Sequence, residues 1–209
     1  FQIQGGYALT ILTNKKLIGI RDPFGIRPLV IGKLANSYVL ASETCAFDII
    51  GAKYIRDVNN GEIVVISNKG LEIIKPFPKI KARPCIFEYI YFSRPDSLIN
   101  NISVYEYRKR FGSELAKESN VNADLIVPVP DSGVPAAIGY SEEVKKNVEL
   151  GIIRNHYVGR TFIEPTQQIR SFGVKLKHNV NKSLIKNKSL ILIDDSLVRG
   201  TTSVKIIKM

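Results

Sequence analysis

From Gly6 to Lys75 the apolar positions fall in short runs broken every few residues by turn formers. Tyr7–Leu12, Leu17–Ile20, Leu29–Ile31, Tyr38–Ala41 and Glu62–Ile66 read as strands, rich in Ile, Val, Leu and Tyr. Thr13–Lys16, Asn59–Gly61 and Asn68–Gly70 read as the turns between them. Connections this short favour antiparallel pairing. One short helix interrupts the series, starting near Ser42 and ending by Gly51.

A proline-marked stretch from Lys75 through Arg83-Pro84 ends this pattern and is expected to link two domains. Beyond it the period lengthens. Ser103-Val104-Tyr105-Glu106 forms a capping box, and Val104, Tyr107, Phe111 and Leu115 recur at helical spacing, which predicts a helix of about 15 residues. Three apolar runs follow, Leu125–Val127, Leu150–Ile153 and Leu190–Ile193. The first and third each lead through a polar loop toward helix. Such alternation predicts a parallel sheet holding ligands at the C-terminal ends of its strands.

Composition changes this picture little. Of the 209 residues 44% are hydrophobic and 23% charged, which suits a globular chain with a buried core. No apolar run approaches the roughly 18 residues needed to span a bilayer, so no membrane role is implied. Two cysteines, Cys45 and Cys85, are too few for a disulfide framework and fit a reducing, cytoplasmic compartment. The net charge of +11 admits an anionic partner, but 19 Lys arriving with 29 Ile and 14 Asn also looks like the coding bias of an AT-rich genome. No nucleic-acid-binding signature accompanies the charge. Phe1 is not an initiator, and the apolar pair Ile206 and Ile207 closes on Met209 in what reads as an unfinished helix. An internal fragment is expected.

Chemistry concentrates in Leu190-Ile191-Leu192-Ile193-Asp194-Asp195-Ser196-Leu197-Val198-Arg199-Gly200-Thr201-Thr202-Ser203. An apolar strand delivers adjacent carboxylates to its end, and Ser, Gly and Thr then offer hydroxyls and backbone N–H groups where a helix starts. Carboxylates there can take ribose hydroxyls or hydrated Mg²⁺, and the loop with the helix start can take a phosphate. Taken alone, Asp194-Asp195 is also an ordinary acidic turn. A second loop, Val127-Pro128-Val129-Pro130-Asp131-Ser132-Gly133-Val134, can let backbone N–H groups approach a pyrophosphate, or be a plain proline-rich turn. A third segment, Arg154–Gln168, mixes cations with aromatics, as a lid over an anion would, and as a surface loop also would.

The Leu190–Ser203 string resembles the phosphoribosyl pyrophosphate signature of type I phosphoribosyltransferases. Asn155-His156-Tyr157-Val158-Gly159-Arg160-Thr161-Phe162-Ile163 is similar to the flexible loop of the amidophosphoribosyltransferase family, departing from it at His156, where arginine is expected. Arg21-Asp22-Pro23-Phe24-Gly25-Ile26-Arg27-Pro28-Leu29 with Ala41–Thr44 resembles the later part of that family's glutaminase domain, and Glu88–Ser97 its junction. The resemblance implies an α+β N-terminal-nucleophile amidohydrolase part at 1–75, a junction at 76–102, and an α/β type I phosphoribosyltransferase domain with a parallel sheet at 103–209, cut short at its end.

It further implies glutamine-dependent amidation of phosphoribosyl pyrophosphate to 5-phosphoribosylamine, releasing pyrophosphate and glutamate, at the first committed step of purine biosynthesis. By that resemblance Asp194 and Asp195 hold ribose and metal. Ser196, Arg199, Gly200, Thr201 and Thr202 hold the 5′-phosphate. Asp131, Ser132 and Gly133 form the pyrophosphate loop, with Ser132 sharing the Mg²⁺ site. Tyr157, Arg160 and Ile163 carry the catalytic part of the closing loop. The glutaminase nucleophile, an N-terminal cysteine, would precede residue 1. In one branch of the family a cysteine at the place of Cys85 ligates a four-iron four-sulfur cluster. Ammonia, purine nucleotide inhibitors and self-association into a homo-oligomer are implied as well. Three other readings share the Asp194-Asp195 loop. A salvage phosphoribosyltransferase would lack the β-rich segment before Lys75, and a phosphoribosyl pyrophosphate-binding sensor would carry a DNA-binding helix-turn-helix, which is not visible. The third is an inactive remnant.

Overall fold

A computed structural model describes residues 3–119, 121–155, 178–198 and 200–209, without the side chains of 201 and 202. The chain divides into two compact units, Phe1–Tyr105 and Glu106–Met209.

In the first unit, β1 (Ala8–Leu12), β2 (Leu17–Arg21), β6 (Ile63–Ser67) and β7 (Gly70–Ile74) form a sheet in the order β1-β2-β6-β7. A second sheet sets β3 (Val30–Leu34) between β4 (Ser37–Ala41) and β5 (Lys53–Asp57). Every pairing in both is antiparallel, as the short turns require. Ile31 of β3 and Val64 of β6 meet Leu29 and Val58 in one cluster, so the two sheets share a core. Helix α1 (Cys45–Ile50) ends where expected, because Gly51 takes the left-handed φ of 71° that closes a helix. Strands β5 and β7 were not expected, nor was the short hairpin of β8 (Leu98–Ile99) and β9 (Ile102–Ser103).

Behind β2 the segment Arg21–Leu29 winds around one carboxylate. Asp22, fully buried, accepts N–H bonds from Tyr7, Phe24, Ile26 and Arg27 at 3.0–3.4 Å. The Arg21 guanidinium caps the carbonyls of Arg27, Val58 and Gly25. Glu62, also fully buried, takes both terminal nitrogens of Arg56 at 3.0 and 2.5 Å and the Asn59 N–H at 2.8 Å. The proline-marked stretch belongs to this unit and is tied to it by the Arg83 N–H on the Phe24 carbonyl. A single π-helical turn, Glu88–Phe92, follows. Glu88 pairs with Arg27 at 2.7 Å, while Glu43 accepts the Arg94 N–H and the Ser97 hydroxyl.

Helix α2 (Val104–Glu118) has the 15 residues its spacing predicts. Its packed face differs from the expected one. Arg108, Gly112 and Ala116 are buried, whereas Phe111 and Leu115 remain about two-fifths exposed. The reason is close approach to α3 (Val134–Val144) in the second unit. A Cβ on Gly112 would stand 1.8 Å from the Ala136 carbonyl oxygen, and one on Gly139 equally close to that of Lys109. Bulky residues cannot enter so narrow a gap.

Strand β10 (Leu125–Pro128) runs parallel to β13 (Leu190–Ile193), with Leu125 opposite Leu190 and Pro128 opposite Ile193. Ile126 joins a cluster with Ala137 and Tyr140 of α3; Val127 joins another with Ile206 of the last helix, α5 (Thr201–Lys208). Burial on both faces explains why β10 is an unbroken apolar run. The middle apolar run lies elsewhere: β11 (Ile152–Arg154) pairs antiparallel with β12 (His178–Val180). A short helix, α4 (Lys182–Ile185), leads toward β13.

Candidate functional site

The parallel pair brings two of the three expected loops to one place. β10 leaves through 129–133 into α3, and β13 leaves through 194–200 into α5, both from the same end because the strands run the same way. The Val129 N–H still bonds the Ile193 carbonyl at 2.8 Å. Gly133 then folds over that same carbonyl, where a Cβ would come within 2.3 Å of the oxygen. Glycine is required there by contact alone, since its φ is an ordinary −76°. The Pro130–Asp131 peptide is cis. The register and the Val129–Ile193 bond set Asp131, Ser132 and Gly133 at the strand end that carries Asp194 and Asp195.

Asp194 is partly buried, and among the described residues its carboxylate accepts one backbone N–H, from Asp195 at 2.9 Å. Burial, helped by the adjacent charge of Asp195, pushes its carboxyl above the usual range, and the N–H bond offsets only part of this. Asp195 accepts the Ser196 hydroxyl at 2.8 Å. Beyond them Leu197 and Val198 stand out in solvent, 74% and 83% exposed. Gly200 at φ 67° turns the chain into α5, and among the described residues no side chain caps the helix's first N–H groups. Two under-bonded carboxylates beside uncapped N–H groups can hold a hydroxyl-bearing, phosphorylated ligand together with a cation.

A further member was not legible beforehand. Arg154, at the end of β11, forms an ion pair through Nη1 with Asp131 of the second loop. In the sequence these residues lie 23 apart and nothing in either segment pairs them. His178, buried on β12, stands opposite Arg154 in the strand register.

Tyr157, Arg160, Ile163 and Arg199 lie outside the described residues, as do the side chains of Thr201 and Thr202. Cys85 is in the first unit, half-buried, and Cys45 is buried; both thiols are free. Among the described residues no three of His, Cys, Asp and Glu gather closely enough to hold a metal ion by themselves. Nor is any described helix long and apolar enough to cross a membrane.

No protein-family model matches the chain. Curated relatives do. An amidophosphoribosyltransferase of Rhizobium etli is 56% identical over 213 residues, covering 100% of this chain and 43% of the relative. That of a Synechocystis strain is 54% identical over 207 residues, covering 98% and 42%. Among solved structures, the B. subtilis glutamine phosphoribosylpyrophosphate amidotransferase complexed with ADP and GMP superposes with a TM-score of 0.90. It is 48% identical, over 99% of this chain and 45% of that one. The chain thus spans less than half the length of the relatives it matches.

Proposed function

Because the chain is homologous along its whole length to amidophosphoribosyltransferases, we propose that the protein carrying it transfers nitrogen from glutamine to phosphoribosyl pyrophosphate. The products would be 5-phosphoribosylamine, pyrophosphate and glutamate, the first committed step of purine biosynthesis. In this reading residues 1–75 are the later part of an N-terminal-nucleophile glutaminase domain, 76–102 the junction, and 103–209 part of a type I phosphoribosyltransferase domain. The protein works in the cytoplasm, where free Cys45 and Cys85 stay reduced. Purine nucleotides inhibit it, and it assembles with copies of itself.

The observation that carries this reading is the under-bonded pair Asp194 and Asp195 at the end of β13, opposite the 131–133 loop. Asp194 and Asp195 take the ribose hydroxyls and fix the sugar. Backbone N–H groups from Ser196 to the start of α5 hold the 5′-phosphate, with Arg199, Thr201 and Thr202 assisting. Asp131, Ser132 and Gly133 line the leaving pyrophosphate. Tyr157, Arg160 and Ile163 close over the sugar and exclude water from the incoming ammonia.

The donor set fits Mg²⁺. Two adjacent carboxylates, one already strained by burial and like charge, with the Ser132 hydroxyl, are what a cation sharing its shell with substrate phosphates needs. When bound, Mg²⁺ would neutralise charge developing on the pyrophosphate oxygens. A four-iron cluster takes four thiolates; if one is bound, Cys85, whose thiol is free, would supply one of them, and no step is routed through it.

The test is pyrophosphate release from phosphoribosyl pyrophosphate by the full-length gene product with Mg²⁺, with glutamine or ammonium as nitrogen source. Release with glutamine is expected. Ammonium-only release would leave the transferase reading and remove the glutaminase one. Binding of phosphoribosyl pyrophosphate with no release from either source would mean a sensor, and neither binding nor release an inactive remnant.

A further inference from the structure

The first unit contains an open cleft of about 960 Å³ whose lining is basic on balance. Lys75, Lys79 and Lys81 line it from the proline-marked stretch, and Arg21 and Arg56 from the sheets. The arginines are already committed, Arg21 to three carbonyls and Arg56 to Glu62. The lysines are not: among the described residues none of the three is in an ion pair. Asp57 is the one acidic residue in the lining, and its carboxylate accepts the Tyr54 hydroxyl at 3.2 Å.

Three like charges on seven residues of chain repel one another, and a cleft concentrates their field. An anion relieves that repulsion. The cleft's volume is at the upper end of small-molecule sites, far more than one phosphate fills. Two aromatic rings, Tyr54 and Phe77, share its wall with the cations. Asn100 and Asn101, held at φ 50° and 61° in the turn between β8 and β9, add side-chain amides that can donate to oxygen.

We propose that this cleft is an anion site for an organic diphosphate, with Lys75, Lys79 and Lys81 on the diphosphate and the organic group against Tyr54 and Phe77. It is independent of the site at the end of β13. The three ammonium groups match the roughly threefold negative charge of an organic diphosphate, one on its inner phosphoryl and about 1.5 to 2 on its terminal one.

The experiment uses full-length protein carrying Asp194→Asn and Asp195→Asn, so that the other site's contribution is removed whatever its function. Isothermal titration with a nucleoside diphosphate, and separately with inorganic pyrophosphate, is repeated after Lys75→Glu, Lys79→Glu and Lys81→Glu are added. Binding in the first protein and a loss of at least about tenfold in the second, at unchanged Tm, is expected. Tighter binding of the nucleoside diphosphate than of pyrophosphate supports the role of the rings; equal binding of both overturns that role. If the triple reversal misfolds, Lys79→Gln with Lys81→Gln is measured instead, where a weaker salt dependence of binding is expected. Absence of binding, or affinity that ignores the lysines, overturns the proposal.

Discussion

Asp22 and Glu62 of the first unit and Asp194 of the second are buried in opposite ways, while Glu88 of the first unit, though paired with Arg27 and bonded by the Ser93 hydroxyl, is like Asp194 raised by burial. In the first, Asp22 receives four backbone N–H groups, and Glu62 receives a two-pronged arginine and another N–H. In the second, Asp194 receives one N–H among the described residues and has a like charge as its neighbour. Burial pulls Glu62 upward too, yet the Arg56 and Asn59 bonds outweigh it and leave its carboxyl below the usual range. Nothing outweighs it at Asp194. A carboxylate saturated with donors is a part of the scaffold. One kept short of donors has capacity left for a ligand, at some cost to stability.

The largest test of this contrast is Asp194→Asn with Asp195→Asn. Transfer from ammonium by the full-length protein should fall on the order of a thousandfold, while Tm holds or rises slightly. A large drop in Tm would make the pair scaffold after all. Glu62→Ala should do the reverse. It strands Arg56 and the Asn59 N–H, so urea unfolding should show a loss of about 2 to 3 kcal/mol, with turnover per folded molecule retained. Gly139→Ala sharpens the comparison from another side, forcing a methyl against the Lys109 carbonyl between α2 and α3. A loss of about 2 kcal/mol would place the second unit's stability in helix packing and not in its acids.

The smallest effect is in pH dependence, measured without divalent cations. Glu62, depressed below 4.5, contributes stability that is full above that value and is lost as pH falls through its folded pKa. Asp194, raised above 3.8, has the opposite sign. Its folded form binds the proton more tightly than the unfolded one, so its penalty eases as pH falls through the folded pKa toward 3.8. Comparing Glu62→Gln and Asp194→Asn with the parent between pH 3 and 7 should give difference curves that slope in opposite directions.

Much of the fold was legible because its elements follow simple patterns. Five strands, α1 and α2 stand where runs, turn residues and a capping box put them. Strand β5 escaped because its residues, Lys-Tyr-Ile-Arg-Asp, turn the apolar Ile55 outward and the polar Tyr54 and Arg56 toward neighbouring groups. The face of α2 was misread because backbone proximity, which selects glycine and alanine, leaves no mark in hydrophobicity. At the site, the acidic loop and the 131–133 loop were picked out by their resemblance to a family motif, since composition alone left each open to an ordinary turn. The Arg154–Asp131 pair could not be, since it depends on where β11 lies beside β10. The donor shortage at Asp194 is likewise a property of the folded backbone.

The parallel register has a consequence for the newborn chain. Asp124 at the foot of β10 and Ser189 at the foot of β13 bond across 65 positions. At about 5 to 20 residues per second, a ribosome needs roughly 3 to 13 seconds to make the stretch between them. For that interval the first loop has been made and β10 lacks β13 beside it. The 131–133 loop and the Asp194-Asp195 loop can therefore meet only after β13 has been made.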